Sequence, residues 1–130
     1  MLLSTSVRNA IVEAIESDIG SSPSLKVFSG TQPETCSAAD QGTLLVNMAL
    51  PSDWLSVASG GAKSKSGAWS GTAAASGTAS YFRIYGGGVC KAQGSASDSS
   101  GSGELALIST AVVSGQVVTV ASFTLQAGNA

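Results

Sequence analysis

Only one stretch of this chain carries a helical hydrophobic period, and every apolar run after it is of strand length. Between Ser4 and Ile19, the residues Val7, Ile11, Ile15 and Ile19 recur at i, i+4 spacing, with Ala10, Val12 and Ala14 widening the stripe. Arg8, Glu13, Glu16 and Ser17 occupy the other faces. Ser4, Thr5 or Ser6 can cap the helix by accepting an orphan backbone N–H, and Gly20 stands where a glycine commonly ends a helix. Pro23 makes the stop firm. Asp18 lies at the negative end of the helix dipole, a small cost at an exposed position. An amphipathic helix of this kind has to pack on something else.

The remainder reads as strands punctuated by small residues. Leu25 to Phe28 is short and closes on Ser29-Gly30, and Thr31 to Gly42, with Pro33 among small polar residues, is expected as a loop. Thr43 to Leu50 alternates: Leu44, Val46, Met48 and Leu50 form a core face, while Thr43, Leu45, Asn47 and Ala49 form a milder one. After the turn at Pro51 to Trp54, Gly60-Gly61 and Gly67 leave Ala68-Trp69 as a short extended piece. The clearest strand is Gly77 to Tyr85. Its alternation points Phe82 and Ile84 inward and leaves Tyr81, Arg83 and Tyr85 on a solvated face. Gly86-Gly87-Gly88 then reads as a hairpin turn into Val89 to Gly94, and Ser95 to Gly103 as a flexible exposed loop. Glu104 to Ser109 and Val117 to Leu125 complete the set. In the last strand Val118, Val120, Ser122 and Thr124 alternate with Val117, Thr119, Ala121, Phe123 and Leu125, and Ala127 to Ala130 frays as a tail.

One helix and about seven short strands, with turns roughly every eight to twelve residues, predict a mainly β chain. The expected fold is a β-sandwich or jelly roll with the N-terminal amphipathic helix over one end or edge. The 130 residues are expected to make one domain, with the helix over 4–20 and the sandwich over 24–126. Hydrophobic residues make up 43% but aromatics only 5%, so the core must be built from Val, Leu, Ile and Ala. Many adjacent Ser, Thr and Ala positions specify strands weakly, and their edges argue mildly for an oligomer or for docking onto a larger assembly.

Charge and thiol content narrow the function. The chain has no histidine, eight acidic and six basic residues, and a net charge of −2. Proton transfer, nucleophile activation and metal ligation need gathered ionisable side chains, and these are scattered singly, which argues against an enzyme. A basic stripe with aromatic platforms is missing, so no nucleic-acid partner is expected. No apolar run approaches about twenty residues, so neither a membrane span nor a secretory leader is expected. Cys36 and Cys90 are too few for a disulfide framework and are expected as buried or partly buried free thiols, with a bond between them as the alternative. No metal or other cofactor is implied.

The short motifs that suggest chemistry have plainer readings. Gly86-Gly87-Gly88 lacks the dinucleotide-binding spacing, and Gly60-Gly61-Ala62-Lys63-Ser64 lacks the first glycine of a phosphate loop. Glu13 and Glu16 read as a solvated helix face, Asp98 as too lone a carboxylate for calcium, and Lys63 and Lys65 as a small solubilising spot.

The layout resembles a group of small tailed-phage virion proteins. The residues that carry the likeness are Ser4-Thr5-Ser6-Val7-Arg8-Asn9-Ala10, Leu25 to Pro33, Gly42-Thr43-Leu44-Leu45, Gly77 to Ile84, and Val120 to Asn129, so it spans nearly the whole chain. Gly86 to Gly103 departs from the pattern toward more Gly and Ser. The resemblance implies a structural component of the virion, made in the host cytoplasm. It implies above all a capsid cement or decoration protein contacting the major capsid protein and its own copies. A neck, tail or baseplate component is the alternative, and a carbohydrate-binding module using Trp54, Trp69, Tyr81 or Tyr85 is a third. The candidate contact residues are Val7, Ile11 and Ile15 on the helix and Tyr81, Arg83 and Tyr85 on the strand.

Overall fold

The helix starts and stops where its capping residues dictate. In the computed structural model, which describes residues 1–127, α1 spans Thr5–Ile19. The Ser4 hydroxyl accepts the Val7 N–H at 3.2 Å, and the Gly20 N–H donates to the Glu16 carbonyl at 2.9 Å.

The strands are β1 (Ser24–Phe28), β2 (Leu44–Ala49), β3 (Ala62–Ser64), β4 (Ser70–Thr72), β5 (Gly77–Thr78), β6 (Tyr81–Gly86), β7 (Val89–Asp98), β8 (Leu105–Leu107), β9 (Ala111–Val112) and β10 (Val117–Gln126). The main sheet runs β2-β1-β6-β7-β8-β10-β3, with β4 also on β10; β5 and β9 form a separate pair. The sheet curls until the segment after β4 returns to β2, where the Ala74 N–H donates to the Leu45 carbonyl at 2.8 Å. The fold is therefore mainly β and of the sandwich or jelly-roll kind, with the N-terminal helix against it. Inside, Trp69 touches both Trp54 and Phe123 at ring-centroid distances of 5.9 and 5.5 Å, and Phe82 meets Phe123 edge-on at 5.7 Å. Leu25, Val27, Leu45, Met48 and Leu105 fill the space around these rings.

Two bulges break the simple alternation. Val27 pairs with Val46 but Phe28 pairs with Leu44, so Leu45 is an extra residue and both Leu45 and Val46 turn inward. In β10, Val120 pairs with Leu107 and Ser122 with Ala106, leaving Ala121 extra. The phase then flips, and Phe123 joins Val118 and Val120 in the core instead of opposing them. A third departure lies at Ala79-Ser80. The expected Gly77 to Tyr85 strand divides there, because β5 leaves to pair with β9. The Ser95 to Gly103 segment is also corrected. β7 continues through Asp98, and the chain doubles back over 99–104 and turns again, so that β8 lies parallel to β7, with Ala96 beside Leu105. The Ser97 hydroxyl accepts the Gly103 N–H at 2.9 Å and holds that reversal.

The thiol expectation is overturned as well: Cys36 and Cys90 are joined in a disulfide across 54 residues. By loop-closure entropy such a link is worth about 4 kcal/mol. Ala127, expected to fray, is buried and donates its N–H to the Gly61 carbonyl; the rest of that tail, 128–130, lies outside the described residues.

The Gly86-Gly87-Gly88 hairpin forms as expected, and its three glycines do different work. Gly87 and Gly88 take φ of 61° and 79°, the left-handed pair that a two-residue turn requires. Gly86 instead leaves room for the end of the helix: a β-carbon there would sit 2.3 Å from the Ile19 carbonyl oxygen. Because that contact is backbone against backbone, Gly86→Ala should push the helix off the sheet and lower unfolding free energy by about 2–3 kcal/mol. Urea denaturation of the variant against the parent chain measures this.

Candidate interaction surface

The helix is oriented by charge more than by its apolar stripe. Its inward line is Arg8, Val12, Glu16 and Ile19, at the i, i+4, i+8, i+11 spacing of one face. Val12 and Ile19 are buried in that line. The Lys63 ammonium rises from β3 with its residue only 3% exposed, and it lies 3.0 Å from a Glu13 carboxylate oxygen and in short contact with Glu16. Glu13 and Glu16 are thus not a simple solvated pair, and Lys63 is not a solubilising spot. Lys65 turns away to donate to the Gly67 carbonyl. Burial alone would lower the Lys63 pKa, but the hydrogen bonds and charges of Glu16 and Glu13 overcome it and hold the group above the usual lysine value.

Further polar contacts fix both ends of α1. Arg8 donates to the Ala127 carbonyl at 2.8 Å, and the Asn9 side chain accepts the Gly61 N–H at 2.7 Å. At the other end Trp54 donates to the Gly20 carbonyl at 3.1 Å, and Asp18, predicted to be a lone dipole penalty, pairs with Lys91 at 3.0 Å. With this rotation fixed, Val7 (46% exposed) and Ile11 (37% exposed) face outward between exposed Ala10 and Ala14, and Ile15 is half-buried at the edge of the core.

The β6 face differs from the expectation in the opposite sense. Tyr81 and Arg83 are each only 1% exposed and Tyr85 is half-buried, because the loop after β1 folds back over them. Arg83 organises that loop. Its guanidinium pairs with Asp40 at 2.8 Å, donates to the Thr35 carbonyl at 3.1 Å and to Gln93 Oε1 at 3.0 Å, and Gln93 in turn donates to the Pro33 carbonyl. Tyr81 stacks on Phe28 at 4.8 Å and exchanges hydrogen bonds with the backbone of Gln41. Tyr85 meets Asp40 through its hydroxyl while Lys26 sits 4.3 Å over its ring. Burial and the Asp40 carboxylate raise the Tyr85 pKa against the lowering effect of Arg83. Burial alone would lower the Arg83 pKa, but its bonds to Tyr85 and Asp40 more than reverse that and keep it charged.

The two sets of candidate contact residues are therefore not one surface. Val7 and Ile11 remain available, Ile15 partly so, and Tyr81 and Arg83 are interior. Trp54 and Trp69 are buried too, so of the four aromatic residues offered for glycan stacking only Tyr85 keeps partial exposure. A second apolar patch escaped the periodicity argument. Ile108, Val113 and Val117 are each more than 60% exposed, and Ile108, Gln116 and Val117 line a shallow groove of about 100 Å³. Gln116 is tied to Val113 by two hydrogen bonds, which close the turn leading into β10. The signal that could have located this patch is the complete lack of charge after Glu104. Among the described residues no three His, Cys, Asp or Glu converge, and no helix is long and apolar enough to cross a membrane. Asp98 accepts the N–H and hydroxyl of Ser100, which lowers its pKa and caps its own turn. No protein-family model, curated protein or solved structure matches the chain.

Two outcomes follow from the buried cations. Arg83→Met should release the loop over Thr31 to Gly42, lowering unfolding free energy by about 2–4 kcal/mol and exposing the loop to limited proteolysis under reducing conditions. A variant as stable and as protected as the parent would refute this role. For Lys63, a raised folded pKa means the stabilisation is complete below the unfolded value of about 10.4 and is lost as pH rises through the folded value. The stability gap between the parent chain and Lys63→Met should hence be constant near neutral pH and shrink in strongly alkaline buffer, as thermal unfolding at several pH values would show.

Proposed function

We propose that this chain is a non-enzymatic structural component of a tailed-phage virion. In this reading it is a capsid cement protein that sits on the outside of the head shell and binds major capsid protein and its own copies. The observation that carries the reading is the fixed helix with Val7 and Ile11 held toward solvent. Ion pairs and carbonyl contacts on the inner side prevent the helix from rolling to hide these residues. A rigid apolar ridge loses little entropy when a partner covers it. Repeated over a symmetric shell, many such modest contacts give avidity without a strong single anchor.

The Cys36–Cys90 bond supports an exterior position. Disulfides persist on virion surfaces, whereas the host cytoplasm in which the chain would be made keeps thiols reduced. A neck, tail or baseplate role is the second reading. The apolar patch at Ile108, Val113 and Val117 favours it, because stacked rings bury two opposite surfaces of each copy. Quantitative mass spectrometry of purified particles separates the readings. The cement protein should be present in hundreds of copies and be visible outside the shell by cryo-microscopy. A copy number of about six or twelve would shift the role to the neck or tail by ring symmetry, and absence from the particle would overturn both.

A further inference from the structure

We infer that the loop over 31–42 is a redox latch. Its hydrogen bonds seat Cys36 beside Cys90 in a chain that is folded but still reduced, and a small-molecule disulfide such as glutathione disulfide then seals it. The two cysteines are 54 residues apart in sequence, and bringing them together from a disordered chain carries a large entropic cost. Contacts that involve no sulfur offset that cost, because they grip the loop on both sides of Cys36. Before it, the Pro33 carbonyl accepts from Gln93 at 2.7 Å and the Thr35 carbonyl accepts from Arg83 at 3.1 Å. After it, Asp40 pairs with Arg83 at 2.8 Å, and the Gln41 N–H donates to the Tyr81 hydroxyl at 3.0 Å. All of these partners lie on the β6–β7 hairpin. Cys90 belongs to the same ladder, opposite Tyr85, whose hydroxyl meets Asp40. Holding the loop at 33, 35, 40 and 41 therefore holds residue 36 over β7, with or without the covalent bond.

The loop is also a separable unit. Its ends meet at the sheet, where the Ser29 N–H donates to the Thr43 carbonyl at 3.0 Å and Gly42 leaves no room for a β-carbon beside the Ser29 carbonyl. β1 and β2 pair directly below that junction, from Phe28 and Leu44 onward, so the loop lifts without unpairing a strand. Both cysteines are half-buried, which leaves them within reach of a tripeptide thiol. The step is a thiol–disulfide exchange. One cysteine thiolate attacks a sulfur of glutathione disulfide and expels a glutathione thiolate, leaving a mixed disulfide on the protein. The second cysteine thiolate attacks the protein sulfur of that mixed disulfide, forms the Cys36–Cys90 bond and expels the second glutathione. The protein gives up two electrons and two protons, and glutathione disulfide takes up both and leaves as two thiols. Reduced, the latch is closed by hydrogen bonds alone; oxidised, the loop cannot leave β7.

The inference stands apart from the virion reading, and its test needs only the purified full chain. Equilibration in buffers of varied reduced and oxidised glutathione gives the effective concentration of one cysteine for the other. The reduced parent chain should keep its far-ultraviolet circular dichroism and a cooperative urea transition. On reduction, amide hydrogen exchange should quicken over 31–42 and stay unchanged in β1 and β2. Asp40→Ala, at an exposed loop position, should lower the effective concentration by about tenfold, and Tyr81→Phe by roughly threefold. Lys63→Met cuts the helix contact and none of the loop's, so it should leave that value unaltered and controls for general loss of stability. A reduced chain that unfolds would overturn the latch. So would an Asp40→Ala value equal to the parent's, a fall as large in Lys63→Met, or a mixed disulfide with glutathione that persists in the parent chain.

Discussion

Lys63 is almost wholly covered by the fold, and its charge is balanced because Glu13 and Glu16 come down on it from the helix. That requirement determines how α1 sits. Two carboxylates one turn apart reach a single ammonium only if the helix is rotated to bring the Glu16 line inward, which carries Arg8, Val12 and Ile19 with it. The same rotation turns Val7 and Ile11 out. Removing one partner of a buried pair leaves an uncompensated charge, so the arrangement resists relaxation even though it exposes apolar surface. The candidate surface is thus a by-product of where a positive charge is buried.

A second buried cation governs the other covering element. Arg83 reaches through the outer face of β6 and gathers Asp40, Thr35 and Gln93, which folds the loop after β1 across the sheet. The Cys36–Cys90 bond closes the same loop onto β7. Hydrogen bonds orient the loop and the covalent link limits how far it can leave. β6 is therefore buried on both faces, Phe82 and Ile84 toward the aromatic core and Tyr81 and Arg83 toward the loop. A strand in that position cannot serve as a docking face.

Sequence reasoning recovered what depends on local chemistry. Ser4 and Gly20 bound the helix as their capping preferences require, and the Gly87-Gly88 turn follows from the backbone it needs. The mainly β character follows from short alternating runs. The failures share one cause: a residue's surroundings were inferred from its own segment. Tyr81, Arg83 and Tyr85 alternate as an exposed face would, and only a loop some forty residues earlier reveals that they are covered. The stripe Val7, Ile11, Ile15 and Ile19 counts apolar residues alone, whereas the true inward line includes Arg8 and Glu16, whose partners come from β3 and the end of β10. Counting by twos fails at Leu45 and Ala121 because one extra residue shifts everything beyond it, and nothing in the composition of either strand marks the position. Cys36 and Cys90 meet only through the same distant loop.

The scarcity of charge, which first suggested a chain without chemistry, takes on a different meaning once the ion pairs are located. Among the described residues, Lys63 with Glu13 and Glu16, Arg83 with Asp40, and Lys91 with Asp18 all tie the helix or the loop to the sheet. Charge is used chiefly to fasten the two elements that cover the β-structure, and the chain after Glu104 carries none. Neutral surfaces gain no long-range steering, so encounter with a partner is not accelerated by the field of the protein. What remains is shape, apolar area and repetition. That combination is compatible with the proposed structural role, in which each weak contact would be reinforced by its neighbours.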